Sequence, residues 1–160
     1  MRINSSIKTC IIPAGGKGTR WSPLSNHIPK EMLPLNGRPV IELVVREAIE
    51  SGCIDIVIFI NKEKQVIEQY LRSLKDLGKE AKLHFIYKRC PKGIVQTILV
   101  AEKYIKDSFF VLAFPDLPAF YQGYSPLHQL IDKHQKNNIT THAFAFSPYP
   151  AKTASFFEYK

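Results

Sequence analysis

The hydrophobic positions of this chain follow two alternating periods. Short runs of β-branched and aromatic residues, typical of buried strands, are separated by stretches in which apolar residues recur every three or four positions. This alternation predicts an α/β fold, a three-layer sandwich with a mostly parallel, Rossmann-like sheet. The predicted strands are Ile7–Ile12, Ile54–Ile60, Leu83–Tyr87, Phe109–Phe114 and Ile139–Phe146, and the predicted helices are Val40–Glu50, Lys62–Leu74, Ile94–Ile105 and Ser125–Lys136.

Local signals mark the ends of these helices. Pro39 suits a first helical position, because its fixed φ is already helical. Gly52 is a natural stop for the first helix, and Ser125 is a candidate N-cap for the last one. The helix over 62–74 is predicted to bury one apolar face, made of Val66, Ile67, Tyr70, Leu71 and Leu74.

The predicted sheet indicates where a ligand would bind. Strands of a parallel sheet end at a common edge, and ligands of such sheets bind beyond the carboxyl ends of the strands. The segments to inspect are those that follow Ile12, Ile60, Tyr87 and Phe114.

Composition narrows the class of protein. The 160 residues are 45% hydrophobic and 22% charged, which fits one globular domain or part of one and excludes a disordered or collagen-like chain. The longest apolar run is six residues, whereas a membrane helix needs about 20. The N-terminus has no apolar stretch long enough for a signal peptide. We therefore expect no membrane association.

The charged residues indicate which partners to expect, and the cysteines indicate the redox compartment. The net charge of +8 fits either an anionic ligand or a lysine-rich solvated surface. The chain has no basic block and no nucleic-acid-binding signature, so no nucleic-acid partner is expected. Cys10, Cys53 and Cys90 lie far apart and form no Cys-x-x-Cys pair. This pattern argues against a disulfide framework or a zinc site and favours a reduced, cytoplasmic protein.

A glycine-rich loop follows the first predicted strand. Glycines there allow the backbone to approach a ligand closely and to present its N–H groups to an anion. Lys17, Arg20 and Lys30 add positive charge. The spacing fits neither a P-loop nor a dinucleotide fingerprint. From the glycines alone, a phosphate-binding loop and a tight turn both remain open. The loop is Ala14, Gly15, Gly16, Lys17, Gly18 and Thr19.

The longer string over 11–34 reads IIPAGGKGTRWSPLSNHIPKEMLP. It resembles the signature of the sugar-1-phosphate nucleotidyltransferases, G-G-x-G-T-R followed by a proline and P-K-x-x-L-P. Within that family it is most similar to the bacterial UTP–glucose-1-phosphate uridylyltransferases. The resemblance continues through GRPVIELVVREAIESG and CIDIVIFI and is dense over residues 8–75.

The resemblance implies a reaction and roles for named residues. A sugar 1-phosphate would attack the α-phosphorus of a nucleoside triphosphate, giving a nucleotide-sugar and pyrophosphate, with UTP and glucose 1-phosphate as default substrates. The resemblance makes Arg20 the group that neutralises pyrophosphate and Lys30 the group that steadies the triphosphate. The residues matching the loop that wraps the nucleotide are Ala14, Gly15, Gly16, Gly18 and Thr19.

Asp116 is the candidate metal ligand. It follows the strand Phe109–Phe114 in the string FPDLP, where a carboxylate could hold Mg²⁺ against phosphates. The family's metal-binding aspartate lies in a similar string, L-P-D-V. The alternative is an aspartate that only shapes a turn between two prolines.

The base-reading segment departs from the family pattern. Gly93 matches a family glycine that lies five residues after a base-reading glutamine, and Lys88 occupies the glutamine position. Lysine offers donors and no acceptor, so it cannot copy a glutamine's paired contacts. Val95 also replaces a usually small residue. Selectivity for the base is therefore expected to be weak or shifted from uracil.

The C-terminal segment departs further. SPYPAKTASFFEYK resembles the start of the family's sugar site, with Ser155 and Phe156 where a Tyr-Gly pair is common. We expect residues 1–160 to form the N-terminal, nucleotide-binding portion of the domain, apparently truncated and without the sugar-binding portion. An enzyme and a nucleotide-binding module without a full catalytic site both remain open, as does a homo-oligomer. The chain alone is expected to bind nucleotide and turn over sugar 1-phosphate very poorly.

Overall fold

The computed structural model describes residues 7–16, 18, 22–24, 27–87, 93–106, 109–119 and 121–137. Strands and helices alternate along most of that range. The strands are β1 (Thr9–Pro13), β2 (Pro34–Leu35), β3 (Arg38–Pro39), β4 (Asp55–Ile60), β5 (Lys82–Tyr87) and β6 (Val111–Leu112). The helices are α1 (Val40–Glu50), α2 (Gln65–Ser73), α3 (Lys75–Glu80), α4 (Ile94–Ala101) and α5 (Pro126–Asn137), with short 3₁₀ turns at Lys30–Met32, Lys62–Lys64 and Glu102–Tyr104.

Four of the strands form one parallel sheet in the order β5-β4-β1-β6. The register pairs Thr9 with Asp55 and Cys10 with Val111. The prediction that the first, second and fourth strands share one mostly parallel sheet is confirmed. The strand order reverses at β1, since β4 and β5 lie on one side of it and β6 on the other. The topological switch point therefore lies between β1 and β6, at the carboxyl ends of these strands. Open α/β sheets bind ligands at such a point.

Alternate side chains of the central strands enter two separate cores. Cys10 and Ile12 of β1 pack in a cluster with residues of α1, α2, α3 and α5. Ile11, between them, packs in a second cluster with Ala101 of α4. The sheet thus has helices on both faces, as the three-layer prediction requires. All six residues of β4 are buried, which explains why its sequence is a nearly continuous apolar run.

The cap predictions for two helices are confirmed. Gly52 takes a φ of +98°, and the Cys53 N–H bonds back to the Ala48 carbonyl, which is a Schellman-type stop. The Ser125 hydroxyl accepts the His128 N–H at 3.0 Å, as expected for an N-cap. Pro39 lies outside α1, because it is paired with Pro34 in a small antiparallel hairpin.

The predicted helix over 62–74 is divided in the structure. The Asn61 side chain accepts the Glu63 N–H at 2.9 Å and stabilises a 3₁₀ turn before α2 begins at Gln65. Ile67 and Leu71 are buried, but the prediction that Val66 shares their face is wrong, since Val66 is 42% exposed. The short helix α3 was not predicted from the sequence.

Other predicted boundaries shift at the edge of the sheet. The strand predicted over Phe109–Phe114 is reduced to Val111–Leu112, because among the described strands β6 pairs with β1 alone, over two residues. The helix predicted to reach Ile105 ends at Ala101 and continues as a 3₁₀ turn. The predicted strand Ile139–Phe146 lies outside the described residues. Within the described part of the chain, no helix combines the length and the apolar character that crossing a membrane requires.

Candidate functional site

The loop after β1 begins at the carboxyl edge of the sheet. Ala14 and Gly15 are buried, and the chain reaches the surface at Gly16. A Cβ added at Gly16 would find no atom within 4 Å, so open space lies above the loop. Gly18 has a φ of +69°, a conformation that L side chains disfavour. The loop therefore combines a buried start with an open, glycine-lined surface.

Lys30 and Asp116 come together at this edge. The Lys30 Nζ lies 2.5 Å from Asp116 Oδ2, and the side chains are 17% and 36% exposed. Lys30 begins the 3₁₀ turn Lys30–Met32, while Asp116 lies four residues after β6. The structure thus joins a cation and a carboxylate that the resemblance assigns to the triphosphate and to a metal.

Asp116 also lies in a turn. The Leu117 N–H bonds to the Phe114 carbonyl at 3.3 Å, and Pro115 is buried beneath the turn. The turn and the reach toward Lys30 are compatible, because the turn is closed by backbone atoms and the carboxylate stays available. Asp116 can therefore shape the turn and still bind a ligand through its carboxylate.

A buried ion pair lies at the same edge of the sheet. The Lys64 Nζ donates to Glu31 Oε1 at 2.9 Å and Oε2 at 2.8 Å, and to the Ala14 carbonyl at 3.1 Å. Asn61 Nδ2 lies 3.5 Å from the Gly15 carbonyl. Glu31, Asn61 and Lys64 were not predicted from the sequence. One signal was present, since Asn61 directly follows a strand that ends at the ligand-binding edge.

The structure describes only some of the other predicted site residues. Gly93 has a φ of +90° and immediately precedes α4, with open space where a Cβ would lie. Thr19, Arg20 and Lys88 lie outside the described residues, so their predicted roles stay predictions.

The oxygen donors at this edge fit a divalent metal that is shared with a bound phosphate ligand. Among the described residues, no three His, Cys, Asp or Glu side chains gather as a metal site. Mg²⁺ is usually held by one or two carboxylates together with substrate phosphates, not by an all-protein cage. Asp116 fits such a site as a single partly exposed carboxylate whose remaining oxygens come from the ligand.

The thiol behind the loop is not suited to this chemistry. Cys10 is fully buried in β1, and Cys53 is fully buried after α1. A hydrogen bond with Cys53 and burial raise the pKa of the Cys10 thiol well above its usual range. The thiol therefore stays protonated and is neither a nucleophile nor a metal ligand under ordinary conditions.

Comparisons with known proteins identify the family of this chain. The profile of the family described as nucleotidyl transferase matches residues 9–159. A UTP–glucose-1-phosphate uridylyltransferase of Bacillus subtilis is 33% identical over 150 residues, covering 81% of this chain and 51% of that protein. A protein of the same name from Streptococcus pneumoniae is 31% identical over 169 residues, and the match covers 92% of this chain and 56% of that protein.

A solved structure supports the same assignment. A crystal structure of UDP-glucose pyrophosphorylase complexed with UDP-glucose superposes with a TM-score of 0.72 at 30% identity, covering 82% of this chain and 55% of that one. The chain thus spans about half the length of the relatives it matches. Because the family profile covers nearly all of its residues, this chain belongs to the nucleotidyl transferase family.

Proposed function

We propose that this chain binds UTP at the carboxyl edge of the sheet and serves uridylyl transfer to glucose 1-phosphate. The observation that carries the proposal is the Lys30–Asp116 pair beside a glycine loop at the topological switch point. A cation and a carboxylate at that place are the groups that a metal-bound triphosphate needs. The relatives' names supply the base and the sugar, since the similar proteins are called UTP–glucose-1-phosphate uridylyltransferases.

The proposed reaction exchanges one phosphoanhydride bond for another. A phosphate oxygen of glucose 1-phosphate bonds to the α-phosphorus of UTP, and the bond from that phosphorus to the α–β bridging oxygen breaks. UDP-glucose forms, and pyrophosphate leaves with the electron pair. No covalent enzyme intermediate is required, so positioning and charge neutralisation supply the catalysis.

The residues of this chain take up the charge of the triphosphate. The Gly15 and Gly16 N–H groups of the glycine loop bind phosphate oxygens. Arg20, whose guanidinium can bind two phosphate oxygens at once, neutralises the departing pyrophosphate. Lys30 leaves Asp116 and binds the triphosphate. Asp116 then holds Mg²⁺, which supplies further neutralisation of the phosphate oxygens when it is bound.

A nucleotide-binding module without transfer is the second candidate. It is favoured by Lys88 at the position of the base-reading glutamine, which weakens the match to a complete uridylyltransferase site. Both candidates predict triphosphate binding. They differ in whether pyrophosphate is released when glucose 1-phosphate is added.

The experiment is a coupled assay of pyrophosphate release by the purified 160-residue chain with UTP, Mg²⁺ and glucose 1-phosphate. We expect slow release, well below the roughly 10 s⁻¹ of a typical enzyme, that requires glucose 1-phosphate and disappears in Arg20→Ala. The control is Arg72→Ala, an exposed arginine paired within α2, which should keep the wild-type rate. UTP binding without any release would favour the binding module. Absence of UTP binding would overturn both candidates.

A further inference from the structure

The ammonium of Lys64 is fully used inside the protein. Its three N–H donors meet the two oxygens of Glu31 at 2.9 and 2.8 Å and the Ala14 carbonyl at 3.1 Å. The side chains of Glu31 and Lys64 are 1% and 7% exposed. Such a pair loses the solvation of two ions, and apolar replacements of similar volume are often no less stable. The stability of the fold therefore does not by itself require an ion pair at this position.

The pair joins three segments of the candidate site. Glu31 directly follows Lys30 in the 3₁₀ turn Lys30–Met32. Lys64 ends the 3₁₀ turn that follows β4, and Ala14 begins the glycine loop after β1. A single ammonium thus fixes the distance between the loop and the turn that carries Lys30.

The same contacts set the orientation of the loop's peptide groups. Lys64 holds the Ala14 carbonyl, and Asn61 lies 3.5 Å from the Gly15 carbonyl. In a trans peptide the C=O and the following N–H point in opposite directions. Since both carbonyls face the turn after β4, the N–H groups of Gly15 and Gly16 point away from it. Gly16 is exposed, with open space around it.

We infer that Glu31 and Lys64 are positioning residues of the triphosphate site. They orient the Gly15 and Gly16 N–H groups toward the phosphates and hold the Lys30 turn beside them. The inference rests on the proposed function, because it concerns the same site. It assigns phosphate affinity to two buried residues that would not themselves touch the nucleotide.

The test uses the double variant Glu31→Met/Lys64→Met, which places unbranched apolar side chains of similar size in the site and leaves no unpaired charge. Titration calorimetry measures UTP and uridine affinity, and thermal unfolding measures stability. We expect unfolding close to the wild-type temperature, UTP affinity lower by about tenfold or more, and uridine affinity nearly unchanged. Glu31→Gln keeps one acceptor for Lys64 and should lose less UTP affinity than the double variant.

A matched control separates positioning from general destabilisation. Asp55 is a buried carboxylate paired with His84 at 2.8 Å, and it begins β4 about 16 Å from the end of that strand. Asp55→Asn should lower stability without changing UTP affinity. If the Glu31→Met/Lys64→Met variant binds UTP like the wild type, the inference is wrong and the proposed function stands. If the wild type does not prefer UTP over uridine, both are wrong.

A second measurement needs no variant. Pyrophosphate is titrated into ¹⁵N-labelled wild-type chain, and the amide shifts are followed. The Gly15 and Gly16 amides should shift most among the glycines, and those of Gly78 in α3 and Gly123 should stay unchanged. Equal shifts in both pairs would overturn the orientation of the loop and with it the inference.

Discussion

Lys30 and Asp116 are 86 residues apart in the chain, yet their side chains form an ion pair of 2.5 Å. Lys30 belongs to the segment between β1 and β2, and Asp116 follows β6. In the proposed complex each exchanges this partner for a ligand, Lys30 for phosphate oxygens and Asp116 for Mg²⁺. Metal binding and triphosphate binding should therefore favour each other, since each releases the group that the other needs.

The first prediction concerns Asp116→Asn. UTP affinity in the presence of Mg²⁺ should fall about tenfold, because an amide lacks the charge that holds the metal. UTP affinity in EDTA should be equal to or higher than that of the wild type, since Lys30 no longer has an anionic partner. Titration calorimetry with and without Mg²⁺ measures both values.

The control for this variant is Asp132→Asn, which removes an exposed carboxylate paired with Lys136 in α5. It should leave both affinities unchanged. If Asp116→Asn has the same Mg²⁺ dependence as the wild type, Asp116 is a turn residue only.

The second prediction concerns Arg20→Ala. A charge-assisted, bidentate contact to phosphate is worth about 1.5–3 kcal/mol, so UTP affinity should fall roughly 10- to 150-fold. Uridine affinity should stay within about twofold, because uridine lacks phosphates. Competition with a fluorescent nucleotide measures both. Equal losses for UTP and uridine would contradict a phosphate role for Arg20.

The third prediction concerns the choice of base. Lys88 replaces the glutamine whose donor and acceptor would read uracil. Competition among UTP, dTTP, CTP and GTP should give affinities within about tenfold of one another. Lys88→Gln should raise the preference for UTP. A strong wild-type preference for UTP would show that another group reads the base.

The fourth prediction concerns stability and pH. Burial opposes ionisation of Glu42 in α1, but hydrogen bonds from Tyr70 at 2.5 Å and Arg46 at 2.7 Å outweigh it and lower the pKa of Glu42. Glu42→Gln should lower the free energy of unfolding by about 2 kcal/mol at neutral pH. A carboxyl whose pKa is lower when folded stabilises the fold above its unfolded pKa of about 4.3.

That contribution is lost as the pH falls through the lowered folded pKa. The difference between wild type and Glu42→Gln should therefore be constant above about pH 5 and shrink below about pH 4. Denaturant titrations at several pH values measure it. A difference that persists unchanged at pH 2 would show that the charge of Glu42 does not stabilise the fold.

The elements that the sequence predicted well have strong local signals. The bounds of α1 agree residue for residue with the prediction, because its apolar spacing is regular and Gly52 stops it. The bounds of β6 do not, since its length depends on pairing with β1 and not on its own apolar run. The division of the helix over 62–74 depends on one hydrogen bond that the Asn61 side chain accepts from the Glu63 N–H, and no apolar period reveals it.

The site shows the same limit. The glycine loop and Asp116 could be assigned to the ligand-binding edge because both follow predicted strands. The contact between Lys30 and Asp116 could not be predicted, since it depends on how distant segments meet. The pair Glu31–Lys64 was missed because charged residues in a sequence pattern indicate a solvated surface, whereas here they are buried together.

The proposed function requires this chain to bind a nucleotide through its phosphates at the carboxyl edge of the sheet. The most direct test is titration calorimetry of the 160-residue chain with UTP and with uridine, both in the presence of Mg²⁺. UTP should bind at least about 100-fold more tightly than uridine, and pyrophosphate should displace it. Equal affinity for UTP and uridine, or no displacement by pyrophosphate, would contradict it.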